Sequence, residues 1–307
     1  MPSIKNYFSL IKFSHTIFAM PFALIGFFLG VVHVLGYDRP WPLHIRPVHH
    51  FDAGMMFENF GVPFIFVILC MVFARSAAMA FNRYLDRNID AQNPRTAVRE
   101  IPSGIITAQH ALLFTIANSI LFVTCAYFIN SICFYLSPVA LFVILFYSYT
   151  KRFTALCHIV LGIGLSLAPI GAYLAVTGSF ALLPLLFSIA VICWVSGFDI
   201  IYALQDEAFD KSHQLYSIPS VMGKSRALML SVFLHVLSAS AVIFAGYYGN
   251  FGGWYWAGIV LFAGMLIYQH SIVKPNDLSR VNIAFMTANG IASVVFSGFV
   301  LLDLFAR

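Results

Sequence analysis

The chain has 307 residues, 61% of them hydrophobic and only 9% charged, with a formal net charge of +5. A soluble domain carries roughly 25% charged residues, so this composition excludes an ordinary soluble protein and indicates a chain that crosses a membrane many times. The positive balance does not point to nucleic acid, because the lysines and arginines alternate with apolar stretches and do not cluster on a soluble module.

A membrane-spanning helix needs about 20 mainly apolar residues. Nine such stretches are expected, at about 14–36, 61–81, 110–129, 132–150, 157–177, 181–203, 227–248, 254–273 and 281–303, forming one all-α bundle as a single domain over 1–307. The first follows Lys5 and Lys12, but no small-residue cleavage site comes after it, so it is expected to remain as an uncleaved helix. The connection at about 37–60 carries His44, His49, His50, Asp52 and Glu58; these are metal-ligand types, yet an irregular interfacial loop is the preferred reading. Pro21, Pro138 and Pro169 predict kinks or local breaks within spans. Gly162, Gly164, Gly171, Gly290, Ser293 and Ser297 mark places where helices approach closely. The five cysteines (Cys70, Cys125, Cys133, Cys157 and Cys193) lie in or beside spans without a CxxC pair and read as packing residues.

Orientation follows from the basic residues. The N-terminus and the connections after spans two, four, six and eight hold 13 of the 17 lysines and arginines, which predicts that these segments face the cytoplasm. Arg75 is the exception, being placed inside the second span.

Two polar stretches interrupt the apolar pattern on that same side. Asn82, Asp86 and Asp90 stand four residues apart, and Asp199, Tyr202, Asp206 and Asp210 stand at steps of three, four and four. On a helix such spacings put each set on one face. Five of the chain's 12 acidic residues fall in these two stripes. Isolated acids such as Asp277 and Asp303 read as solvated caps or salt-bridge partners. Two one-face stripes call for a cation, and an oxygen-only donor set suits Mg²⁺, which fills its remaining positions with water and phosphate.

Arg95 and Arg99 follow the first stripe, and Lys151 and Arg152 end the fourth span, so all four are candidates for phosphate contact. Metal clusters facing one another, ringed by cations and backed by an apolar bundle, suit a lipid diphosphate whose tail lies along the bundle. Aromatic rings could stabilise an allylic cation there, and Tyr202 is singled out because it lies within the second stripe. Two rival readings are open at this point: a transporter coupling cations through helix-end carboxylates, and a phosphatidyltransferase. The first predicts mid-span charges, and the second an Asp-Gly and Ala-Arg arrangement that both stripes lack.

The segments Asn82-Arg-Tyr-Leu-Asp86-Arg-Asn-Ile-Asp90 and Asp199-Ile-Ile-Tyr202-Ala-Leu-Gln-Asp206-Glu-Ala-Phe-Asp210 resemble the two aspartate-rich motifs of the UbiA family of intramembrane prenyltransferases. The likeness runs from the first span to the last and includes the Lys-Arg pair and Ser217-Ile218-Pro219. It implies Mg²⁺-dependent transfer of a polyprenyl group from its diphosphate to an acceptor, within the lipid bilayer. It further implies that Asn82, Asp86 and Asp90 serve one Mg²⁺ and that Asp206 and Asp210 serve the other. Asp199 and Tyr202 would shape the pocket, with Lys151 and Arg152 on the diphosphate. Gly197–Asp206 and Ile11–Ala19 are most similar to the 4-hydroxybenzoate polyprenyltransferase group and its menaquinone relatives of the futalosine route, which implies an aromatic acid acceptor and a bacterial-type inner membrane.

Arg75 lies two helical turns before Asn82, about 10 Å deeper on nearly the same face. A lone arginine inside a span costs roughly 2.5–3.5 kcal/mol on insertion scales, so it calls for an anionic partner. That partner is either a protein group such as Asp199 or the carboxylate of the acceptor; His15 is a second candidate on the acceptor side.

Overall fold

The computed structural model describes residues 4–11, 18–36 and 53–306, and the expectations for His15 and for the His-rich connection through Asp52 lie outside them. The helices are α1 (Ile4–Leu10), α2 (Met20–Val34), α3 (Ala53–Gln92), α4 (Ala108–Ile129), α5 (Ser131–Thr150), α6 (Cys157–Thr177) and α7 (Leu182–Ala203). After α7 come a 3₁₀ turn (Leu204–Asp206), α8 (Glu207–Ser212), α9 (Ile218–Met222), α10 (Lys224–Tyr248) and α11 (Gly253–Ile272). A π-helical stretch (Ile283–Ala288) then leads into α12 (Asn289–Phe305). Among the described residues eight helical stretches are long and apolar enough to cross a membrane, and the ninth, α2, is shorter.

The expected spans therefore sit where hydropathy put them, with two differences. The second is a 40-residue helix that runs without a break from the apolar run through the first acidic stripe. At 1.5 Å per residue α3 is about 60 Å long, twice the thickness of a hydrocarbon core, so its polar end stands beyond the apolar belt. Pro21 sits in the first turn of α2 and not inside a helix, where its missing N–H costs nothing. Pro138 and Pro169 are within α5 and α6, as expected.

Helix α7 is the centre of the bundle, packed between α6 and α10. Trp194 is fully buried on it and meets Phe22, Phe198 and Phe262. The Trp194 indole and the Gln269 amide both donate to Asn289 Oδ1, at 2.9 and 3.0 Å. Asn289 Nδ2 in turn donates to the carbonyls of Ala284 and Phe285 within the π-helical stretch, both at 3.0 Å. This buried network fixes the turn that carries Phe285. Gly162 allows α6 and α7 to touch: a methyl there would come within 2.5 Å of Ser196 Oγ and 2.6 Å of the Ile192 carbonyl. Helices α4 and α5 instead leave Leu113, Ile120, Phe128, Tyr135 and Phe142 exposed, an apolar surface suited to lipid.

Asp303 differs from the expected solvated cap. It is buried, and its carboxylate accepts the backbone N–H of Gly252 at 2.7 Å and of Tyr255 at 3.3 Å, so it caps the first turn of α11 from another helix. All five cysteines are free.

Candidate active site

The polar end of α3 presents Asn82, Asp86 and Asp90 on one face, as the four-residue spacing requires. Asp86 and Asp90 are only 2% and 3% exposed. Asp86 takes Lys151 Nζ at 2.6 Å and Arg152 Nη2 at 2.8 Å on its two oxygens, and Asn82 Nδ2 donates to it at 3.2 Å. The Lys-Arg pair is in place because α5 ends at Thr150, so the next two residues leave the helix beside α3. Asp90 Oδ1 accepts from Arg99 at 2.7 Å, while its Oδ2 is buried without a partner.

Helix α3 stops just before Asn93-Pro94, since a residue preceding proline is disfavoured in helical conformation. Asn93 Oδ1 then accepts the Arg95 N–H at 3.0 Å, a tight turn that sends Arg95 across to the second stripe. Arg95 Nε donates to Asp206 Oδ1 at 3.0 Å, its Nη2 meets the other oxygen, and Nη1 donates to Tyr202 Oη at 3.0 Å. Asn93 Nδ2 adds a bond to Asp206 at 3.1 Å. Burial works against the Arg95 charge, yet the hydrogen bonds and charge of Asp206 outweigh it and hold its pKa above the ordinary arginine value.

The second stripe is not one helix. Asp199 and Tyr202 are on α7, Asp206 closes the 3₁₀ turn and Asp210 is on α8. Asp210 accepts from Ser217 Oγ at 2.7 Å, the same serine that caps α9. Tyr202 stacks on Phe285 with ring centroids 4.2 Å apart, so the π-helical stretch floors this side of the site. Asp199 pairs with His158 at 2.6 Å.

Both stripes line one polar cavity of about 290 Å³. It adjoins an apolar chamber of about 400 Å³ enclosed by α3, α4, α5 and α6, and the two share Arg75, Met79, Tyr147, Leu161 and Leu165. Arg75 thus stands at the junction. Of the partners open for Arg75, Asp199 does not pair with it: the close α6–α7 contact gives Asp199 a nearer partner in His158, and Arg75 Nε is buried with no hydrogen bond. Arg95, Arg99, Lys151 and Arg152, expected on a diphosphate, each hold a stripe carboxylate. His158, Asn93, Arg83 and Tyr147 also line the polar cavity and were not anticipated. Arg83 was visible within the first stripe, but His158 enters only through the packing of α6 on α7.

The family model described as the UbiA prenyltransferase family matches residues 53–291. A 4-hydroxybenzoate octaprenyltransferase of Nitrosomonas europaea is 32% identical over 260 residues, 82% of this chain and 87% of that protein. Another of that name, from Tolumonas auensis, is 30% identical over 78% of this chain and 85% of its own length. The apo structure of a UbiA homolog from Aeropyrum pernix K1 superposes with a TM-score of 0.78 at 29% identity, covering 94% of this chain and 98% of that one. A UbiA homolog from Archaeoglobus fulgidus bound to GPP and Mg²⁺ shares the fold, with a TM-score of 0.67 at 19% identity over 97% and 99% of the two chains. A bundle of apolar helices, two facing acidic stripes and relatives of this identity over most of the chain lead to one assignment: the protein belongs to the UbiA family of prenyltransferases and is an integral, multi-pass membrane enzyme.

Proposed function

We propose that this enzyme transfers a polyprenyl group from its diphosphate to an aromatic acid, 4-hydroxybenzoate or a dihydroxynaphthoate, in quinone biosynthesis, with Mg²⁺ and at the cytoplasmic face of a bacterial-type inner membrane. The observation that carries this reading is the junction of the two cavities. A polar chamber for the diphosphate opens into an apolar one for the tail, with Arg75 between them. The names of the curated relatives, and the GPP and Mg²⁺ in the Archaeoglobus homolog, support the same choice.

The donor set fits the ion. Asn82, Asp86 and Asp90 face Asp206 and Asp210 with hard oxygen atoms only, and Asp90 Oδ2 is a buried acceptor awaiting a partner. Among the described residues no three acidic, histidine or cysteine side chains form a ready-made metal cage. Asn82, Asp86 and Asp90 would hold one Mg²⁺, and Asp206 and Asp210 the other. Bound there, the ions supply positive charge that holds the diphosphate and compensates the charge it gains on leaving.

The chain's own cations have the matching task. Lys151, Arg152, Arg95 and Arg99 lie on the carboxylates, and in the loaded site they turn to phosphate oxygens, exchanging one anion for another. Charge balance bears on the acceptor as well. Arg75, Arg83, Arg95, Arg99 and Lys151 line the cavity, with Arg152 on Asp86, against Asp86, Asp90, Asp199, Asp206 and Asp210, so the site carries about one surplus positive charge. Two Mg²⁺ and one ionised diphosphate add about one more, a surplus that an acceptor carboxylate on Arg75 would lower. Tyr202 and Phe285 offer stacked ring faces to a developing allylic cation.

Membranes containing the protein, incubated with Mg²⁺, a labelled polyprenyl diphosphate and either acid, test this reading by mass spectrometry of the lipid extract. The prenylated acid is expected with one of the two acceptors. No prenylated acid from either, or cation uptake into proteoliposomes without a prenyl donor, would overturn it.

A further inference from the structure

The proposed function leaves one buried cation of the site without a task. Resting on that reading, we infer that Arg83 takes the distal phosphate of the prenyl diphosphate and makes the site prefer a diphosphate to a monophosphate. Six lysine and arginine side chains stand in the polar cavity or on its carboxylates. Arg95, Arg99, Lys151 and Arg152 each hold an ion pair, and Arg75, at the junction with the apolar chamber, is the anchor for the acceptor. Arg83 is left. It is 5% exposed and lines the polar cavity, its Nε is buried without a hydrogen bond, and among the described residues it has no ion pair. A buried guanidinium with an unmet donor is costly until a ligand completes it.

The packing around Arg83 explains how it is tolerated without one. Among charged groups, Asp90 and Glu100 act favourably on its charge and Arg99 unfavourably. Glu100 is buried, and its Oε1 accepts from Ser9 Oγ of α1. Leu10, the last residue of α1, is fully buried against Ala80, Ile106 and Ala111, so the N-terminal helix clamps the segment carrying Glu100 onto α3 and α4. The Ile106 N–H closes that segment on the Glu100 carbonyl at 2.9 Å. Glu100 is not among the residues lining the cavity, so a ligand there does not displace it. It offsets the Arg83 charge from behind without a hydrogen bond, which leaves Nε–H for phosphate.

Position selects the ligand. Arg83 stands eight residues beyond Arg75 on α3, about 12 Å further toward the polar end of the helix. It is two turns before Asp90 and nearly on the same face, so it belongs to the level of the first stripe. The prenyl tail and the carbon joined to phosphate lie toward the apolar chamber, which Arg75 lines and Arg83 does not. The phosphate bonded to that carbon therefore faces Arg75, and the distal phosphate faces outward, beside Asp90, Arg99 and Arg83. A guanidinium there meets charge that a monophosphate lacks.

The test measures binding of geranyl thiodiphosphate and of geranyl monophosphate to the full-length protein in detergent, with Mg²⁺ and no acceptor. Arg83→Gln is expected to weaken the thiodiphosphate about 10- to 100-fold and the monophosphate by less than about threefold. The preference of the wild type for a diphosphate is lost with it. Arg83→Lys keeps the charge without the planar fork. It is expected to lose a smaller factor on the thiodiphosphate and none on the monophosphate, and it carries the test if Arg83→Gln does not fold. In membranes, the KM for the prenyl diphosphate should rise in both variants while the acceptor KM stays put. An equal loss on the two probes would place Arg83 on the phosphate next to the tail or in a purely structural role. A rise in the acceptor KM alone would move it to the acceptor, and unchanged binding would leave it without a ligand; each of these overturns the assignment. Wild-type protein that prenylates neither acid overturns the function beneath it, an outcome read before any variant is made.

Discussion

The first acidic stripe rides on one unbroken helix and meets its cations from two directions, Lys151 and Arg152 on Asp86 and Arg99 on Asp90. The second is assembled from α7, a 3₁₀ turn and α8, and a single arginine, Arg95, spans Asp206 and Tyr202. The first is a rigid post whose geometry comes from helical periodicity. The second is a set of separately placed acids, free to take different tasks: Asp206 on Arg95, Asp210 on Ser217 and Asp199 on His158. Equal spacing along a chain therefore does not imply equal roles.

The largest effect should come from removing one acid of each stripe. Asp86→Ala and Asp206→Ala are each expected to lower prenyl transfer by about 10³-fold or more, with the protein still inserted in the membrane. Full activity in either would leave one stripe without a part in the reaction. Arg75→Gln comes next. With a charged hydrogen bond to the acceptor removed, acceptor KM should rise about 10- to 100-fold while the KM for the prenyl diphosphate stays put; a shift in the donor KM instead would assign Arg75 to the diphosphate.

A smaller effect sharpens the contrast between post and assembly. Arg95→Lys keeps the charge but loses the planar fork that reaches both Asp206 oxygens and Tyr202. The affinity for prenyl diphosphate should fall about tenfold, the equivalent of one lost charged hydrogen bond. Lys151→Arg, beside the first stripe, should change it less, because Arg152 already shares Asp86. The smallest effect belongs to an acid outside both stripes. Asp303→Ala removes the cap of α11 and should cost about 1–2 kcal/mol in detergent unfolding, with both KM values unchanged.

Most of the bundle was legible because apolar length alone sets a membrane span, and the ends of α4 to α7 fall within two residues of those read from hydropathy. The first stripe was legible for a similar reason, since period four on an unbroken helix leaves no freedom. The second was legible as a set of acids but not as a shape: nothing in Ala203-Leu-Gln-Asp206 announces the 3₁₀ turn that rotates Asp206 and Asp210 away from a common helical face. The partner of Arg75 stayed open between Asp199 and an acceptor carboxylate, because depth along one helix does not show which groups on other helices it meets. Helix α6 settles the matter with Gly162, which lets His158 reach Asp199 first. Asp303 was read as a solvated acid because its partners, the N–H groups of Gly252 and Tyr255, lie some fifty residues away in sequence.

Under the proposed function, the cations now holding the stripes exchange those carboxylates for a diphosphate when metal arrives. A crystal structure with Mn²⁺ in place of Mg²⁺ and a non-hydrolysable prenyl thiodiphosphate tests it most directly. Two anomalous peaks are predicted, one among Asn82, Asp86 and Asp90 and one at Asp206 and Asp210, with Lys151, Arg152 and Arg95 moved onto phosphate oxygens. A bound diphosphate with a single peak, or with the Lys151–Asp86 and Arg95–Asp206 pairs intact, would contradict it.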